Sequence, residues 1–168
     1  MIHEPSSVWR DRSESMNIYM LDTTVFNHLV EGKISLTPFD KHLLLTIGVQ
    51  LDELRATSDC SKRTLLLAKF EEIKPETILA SSFAFDIEGA GWDQACWNDG
   101  SGKFGNMLKR LQELDHGKHK KKKPSNQLRD ILIAETAIKH GATLVSGDEN
   151  LRQVVCEFGG CATDGTRI

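Results

Sequence analysis

Four cysteines stand in the 168 residues, at Cys60, Cys96, Cys156 and Cys161, and no two share the two-residue spacing of a zinc knuckle or redox pair. Reduced thiols in a cytoplasmic protein are therefore the expectation. No apolar run approaches the ~18 residues needed to span a bilayer, so no membrane partner is expected. No secretory leader is expected either, because the polar stretch 1–16 reads as a loose N-terminal extension rather than a targeting peptide. No internal repeat is visible. The net charge of -3 excludes a uniformly basic coat for non-specific nucleic-acid binding.

What is present is an alternation of short apolar runs and amphipathic segments. NIYML at 17–21 is a strand candidate ending at Asp22, with Thr23 or Thr24 as cap of a helix through Glu31 and Gly32 as its stop. Leu43, Leu44 and Leu45 form a second run, with Thr46 as cap of a helix through Ala56. Ser61 opens a further helix through Ile73, with Leu65, Leu66, Ala68, Lys69 and Phe70 on its inner face. The alternate positions Phe83, Phe85 and Ile87 predict a half-buried strand or arm over 78–88. Phe104–Leu114 returns to helical spacing.

The segment RDILIAETAIKHGATLVSGDEN, 129–150, then reads as a helix capped by Ser125 or Asn126 and ended by Gly141, a buried strand, and an acidic turn. A last helix carries Leu151, Val154 and Val155, and a terminal strand or tail follows from Cys161. Strand–helix alternation implies one α/β domain with a central, mainly parallel sheet flanked by helices. Its span is 17–168, with an inserted segment at about 74–124.

Four carboxylates attract attention together rather than singly. Asp22 follows the first strand and Asp148 a later one, at the strand ends where open α/β sheets bind ligands. Asp130 lies near the start of a helix that leads back into the sheet. Asp52 and Glu53 are adjacent but point about 100° apart, and the helix pattern leaves open which of them faces the strand ends. Alone, each has an ordinary role: a helix cap for Asp22 and Asp148, a charge near a helix N-terminus for Asp130, a solvated position for Glu53. If they converge, their mutual repulsion requires a cation, and an all-oxygen donor set selects Mg²⁺ or Mn²⁺. Such ions act on phosphate esters by acidifying a bound water and stabilising the leaving oxygen.

Asp22-Thr23-Thr24 after NIYML resembles the first motif of the PIN-domain nucleases. VQLDELRAT resembles their second acidic helix, and RDILIAETAIKHGATLVSGDENL their closing segment. The resemblance covers about 17–57 and 126–155 and implies a compact three-layer α/β/α fold. It also implies a metal-dependent nuclease, most often a ribonuclease, with Asp22, Glu53, Asp130 and Asp148 as the metal-binding catalytic acids. By position it selects Glu53 over Asp52. Thr23, Thr24 and Ser146 are then hydroxyls that orient those acids. Many small members are toxins of toxin–antitoxin pairs, homodimers held by a cognate antitoxin. Against that plan, this chain adds the N-terminal extension and a longer stretch between the second and third acids.

The run HGKHKKKK, 116–123, holds five of the 21 basic side chains. Lys118, Lys120, Lys121, Lys122 and Lys123 are candidates to follow an RNA backbone by counterion release, against a plain solvated loop. Gly100-Ser101-Gly102-Lys103 is similar to the end of a phosphate-binding loop, but Trp97 replaces its leading glycine and Phe104 its hydroxyl. Trp92 and Trp97 could stack bases, although aromatics in such a segment more often pin it to a core. The expectation is an Mg²⁺- or Mn²⁺-dependent endoribonuclease. The alternatives are a non-catalytic RNA- or protein-binding module on the same fold and a small phosphohydrolase.

Overall fold

The computed structural model describes residues 16–82, 84, 100–116 and 122–166. Five parallel strands form one sheet in the order β3-β2-β1-β4-β5, with β1 Ile18–Leu21, β2 Leu43–Ile47, β3 Glu76–Ile78, β4 Thr143–Val145 and β5 Cys161–Thr163. Around it lie α1 Thr23–Val30, α2 Gly48–Arg55, α3 Cys60–Ile73, α4 Lys103–Asp115, α5 Pro124–Lys139 and α6 Glu149–Glu157. This is the α/β/α sandwich expected, with an all-parallel sheet.

Period-two alternation explains the two cores. Met20, Leu45, Ile47 and Leu144 point to one face and pack with Met107 and Leu111 of α4, Ile131 and Leu132 of α5, and Val154 of α6. Tyr19, Leu21 and Val145 point to the other and pack with Val25 and Phe26 of α1, Leu54 of α2, and Leu66 and Phe70 of α3. A strand with both faces covered reads as a continuous apolar run, which is why NIYML shows no polar alternation. Helix α5 is buried nearly all round from Ile131 to Ala137, including Glu135, because α4, α6 and the sheet surround it.

The chain builds outward from β1 through β2 to β3, then returns to place β4 on the other side of β1. The β1/β4 boundary is thus the point where strand order reverses, and a crevice opens there at the carboxyl ends. The register Leu21↔Val145 puts Asp22 and Ser146 side by side just beyond it.

Several local expectations are corrected. Asp22 itself caps α1, accepting from the Thr23 N–H at 2.8 Å, so the helix starts at Thr23 and neither threonine is its cap. Thr46 is buried within β2 and caps nothing; α2 begins after Ile47, whose N–H donates to Gln50 Oε1 at 2.9 Å. Asp59 caps α3, so the helix opens at Cys60, one residue ahead of Ser61. On α3 the inner face is Leu66 and Phe70, while Leu65 is 56% exposed and Ala68 is exposed as well.

Pro124 opens α5 without a side-chain cap from Ser125 or Asn126, since its ring supplies the helical φ and lacks an N–H to satisfy. The third strand is Glu76–Ile78 and ends before the run expected to continue to residue 88. Phe83, Phe85, Ile87, Trp92 and Trp97 lie outside the described residues.

Candidate active site

Asp22 is 2% exposed and accepts from three donors in the crevice. Its Oδ1 accepts from the Thr23 N–H, and its Oδ2 accepts from Thr24 Oγ1 and from Ser146 Oγ, each at 2.7 Å. Three donors to one carboxylate offset the cost of burying its charge. The sequence supplies them cheaply: two are on the helix that Asp22 caps, and the third is brought by the strand pairing.

Glu53, in the second turn of α2, accepts from Thr23 Oγ1 and has Arg129 Nε at 3.9 Å. Asp52 instead pairs with Arg55 at 3.6 Å on the helix surface. Of the adjacent pair, Glu53 is thus the one that lines the crevice. Gln50, wholly buried, donates from Nε2 to the Leu21 carbonyl at 2.9 Å and so ties the start of α2 to the end of β1. Sequence reasoning missed it. The clue was a glutamine three residues after an apolar run at a helix start, the spacing of a capping box.

Asp148 caps α6, its Oδ1 accepting from the Asn150 N–H at 3.0 Å, while its own N–H donates to Ser146 Oγ at 3.1 Å. Gly147 between them donates to Thr24 Oγ1 at 3.0 Å. A Cβ at Gly147 would fall 2.6 Å from His28 Cε1, so a side chain there would have to displace His28 from the close approach of this turn to α1. Asp130 projects from the second turn of α5. The ammonium of Lys122 donates to Asp130 Oδ2 at 2.7 Å and to Asp148 Oδ2.

A cleft of about 270 Å³ is lined by Asp22, Thr23, Thr24, Asn27, Glu53, Lys122, Asn126 and Asp130. A larger cleft, about 540 Å³, lies at the opposite ends of β2 and β3 among Leu36, Asp40, His42, Leu44 and Glu76, and holds none of these acids. Size alone therefore does not mark the chemistry here. Of the lysine run, Lys122 faces the acids and Lys123 is exposed; Lys118, Lys120 and Lys121 lie outside the described residues. Gly102 precedes α4 in a left-handed conformation.

The electrostatics follow from crowding. Burial, foremost, and the charge of Asp22 push the Asp130 carboxyl up to about 7, against the pull of Lys122. Burial also raises Glu53, with Thr23 opposing and Asp22 reinforcing. For Lys122, burial alone would lower the ammonium, but Asp130 and Asp148 outweigh it and raise it. One ammonium serving two carboxylates stays charged, while the carboxylates around it remain short of positive charge. Among the described residues, no three acids, histidines or cysteines are grouped as metal ligands. The donor chemistry nonetheless fits a hard divalent ion: oxygen only, crowded, and short of cationic charge.

No family model matches the chain, and no curated protein matches it. Among solved structures it aligns with the crystal structure of VapBC2 from Rickettsia felis bound to a DNA fragment from its promoter, at 17% identity and a TM-score of 0.46, over 87% of this chain and 97% of that one. It also aligns with FitAcB from Neisseria gonorrhoeae, at 14% identity and a TM-score of 0.40, over 89% and 99%.

Proposed function

We propose that this chain is a PIN-type endoribonuclease that uses Mg²⁺ or Mn²⁺ to hydrolyse RNA phosphodiesters. The observation that carries it is the gathering of Asp22, Glu53, Asp130 and Asp148, from β1, α2, α5 and the β4–α6 turn, around one end of the sheet. Two ion-pair contacts of Lys122 join Asp130 to Asp148, and Thr23 joins Asp22 to Glu53. An acidic quartet drawn from remote segments has little value for folding, since burial already drives Asp130 and Glu53 toward their neutral forms.

Asp22, Glu53, Asp130 and Asp148 would hold the metal. When bound, it supplies an acidified water and charge stabilisation for the departing oxygen. The chain's own groups do the rest. Thr24 and Ser146 fix the Asp22 carboxylate, Thr23 orients Glu53, and the α6 N-terminus fixes Asp148. Asn27 and Asn126 line the cleft with neutral donors suited to phosphate oxygens. The lysines of 118–123 would attract the RNA backbone.

The family resemblance brings a toxin role, a cognate antitoxin and a homodimer as further parts of this proposal, and the reading of the cysteines as reduced thiols adds a cytoplasmic location. Among the described residues, no helix is long and apolar enough to cross a membrane.

The second reading, a non-catalytic RNA- or protein-binding module, is favoured by one observation: Lys122, not an open ligand set, bridges Asp130 and Asp148. An assay of single-stranded RNA, single-stranded DNA and a small phosphomonoester, each with Mn²⁺ and with EDTA, tests the proposal. Cleavage of RNA alone, abolished by EDTA, is expected. RNA binding without cleavage selects the binding module, and turnover of the monoester alone selects a phosphohydrolase.

A further inference from the structure

We propose that Lys122 is the acidic site's built-in counter-cation, and that a divalent metal binds by expelling its ammonium from Asp130 and Asp148. This rests on the metal-dependent reading above and adds a competitor to it. Lys122 stands two residues before Pro124, where the chain enters α5, and its side chain runs back over the helix start toward Asp130, eight positions on. It is 33% exposed at the side chain, and the ammonium sits inside the crevice rather than in solvent. Both contacts use Oδ2, of Asp130 and of Asp148.

The geometry makes the two occupants exclusive. A hard divalent ion sits roughly 2.0–2.6 Å from its carboxylate oxygens, and the ammonium already lies 2.7 Å from Asp130 Oδ2. A metal shared by these two oxygens would stand within contact distance of the ammonium, at a separation where two cations repel strongly in a partly buried site. Lysine has three donors and no lone pair while charged, so it cannot join the ligand set. It must leave. The lysine then becomes free, at the mouth of the same cleft, to pair with a phosphate oxygen.

The consequence is a metal affinity set low by the chain itself, and raised when Lys122 is neutralised. Calorimetric titration of the full chain with Mn²⁺ reads this directly, comparing the parent, Lys122→Gln and Lys123→Gln. The last removes the same charge from the exposed neighbouring residue. Lys122→Gln is expected to bind Mn²⁺ at least ~10-fold more tightly than the parent, as befits loss of one adjacent unit charge. Lys123→Gln should stay within about twofold, as an exposed, screened charge does.

Equal or weaker binding by Lys122→Gln overturns the exchange while leaving the metal site intact. An equal gain in both variants also overturns it, because net charge alone would then account for the effect. Binding by none of the three overturns the metal reading and the exchange together. NMR of the lysine side chains gives a second readout on the unaltered protein. Adding Mg²⁺ should displace the Lys122 Nζ resonance from its ion-paired position, and an unmoved resonance in the Mg²⁺-bound protein contradicts the proposal.

Discussion

Ser146 Oγ donates to Asp22 Oδ2 at 2.7 Å, joining residues 124 positions apart in the chain. The same oxygen accepts the Asp148 N–H at 3.1 Å, so one buried hydroxyl sets the spacing of two acids. Ser146→Ala should cost about 1–3 kcal/mol of stability, the range for losing a hydrogen bond to a buried charged group. Denaturant titration checks this. It should also weaken Mn²⁺ binding by roughly 10–100-fold, as loss of an orienting partner does in other metal sites. An Ser146→Thr variant, which keeps the hydroxyl, should recover most of the binding.

The Gly147 turn makes a separate claim about packing. Gly147→Ala places a methyl 2.6 Å from His28 Cε1 and is expected to destabilise the chain by about 1–3 kcal/mol. The clash is with a side chain, so His28→Ala should relieve much of that cost in the double variant. Thermal unfolding of the four-member cycle measures the coupling; additive losses would show that the turn's backbone, not His28, demands glycine.

Legibility in the sequence divides along physical lines. The apolar runs NIYML and ATLV could be recognised because a strand covered on both faces needs no polar alternation, and Gly141 ends α5 with φ +62°, as expected of a helix stop. Asp22 and Asp148 were legible as acids at strand ends and as cap candidates, although at the first helix Thr23 and Thr24 competed with Asp22 for that place. Both residue types cap helices, and only the backbone decides between them. Gln50 was not legible as a site residue, and Lys122 was legible only as a candidate for RNA contact, not as the ion-pair partner of Asp130 and Asp148. Their roles depend on contacts across sequence separations of 29 and 26 positions, which no local pattern encodes. The third strand was not legible at its place because Glu76 and Thr77, polar and exposed at the sheet edge, pair with β2 without any apolar periodicity, while the alternating Phe83, Phe85 and Ile87 lie outside the described residues.

Asp115 is a buried carboxylate at the end of α4, and accepts from Gln127 Nε2 at 2.8 Å and Asn150 Nδ2 at 2.7 Å. It thereby clamps the helices that carry Asp130 and follow Asp148. Asp115→Ala should strand both amides and cost about 2–3 kcal/mol in urea unfolding. A change below ~0.5 kcal/mol would mean the clamp contributes nothing.

The pH dependence of the metal-free chain has a defined sign. Asp130 titrates at about 7 when folded and near 3.8 when unfolded, so the folded state binds the extra proton between those values. Stability in EDTA should therefore hold this contribution in full below about pH 4, lose it as pH rises toward 7, and level off above. Asp130→Asn should flatten that slope, and divalent metal should reverse it by favouring the ionised form. Thermal unfolding between pH 4.5 and 8 decides; a parent slope identical to that of Asp130→Asn would contradict the raised carboxyl.

The central claim is that Asp22, Glu53, Asp130 and Asp148 act as one catalytic metal site, and single-turnover cleavage of labelled RNA in Mn²⁺ tests it most directly. Asp22→Asn, Glu53→Gln and Asp148→Asn should each lose more than ~100-fold in rate, beyond the usual effect of an outer orienting residue. Asp52→Asn, paired outward with Arg55, should cut like the parent. If Asp22→Asn or Asp148→Asn cleaves RNA as fast as the parent with metal present, the four carboxylates are not the site of the chemistry.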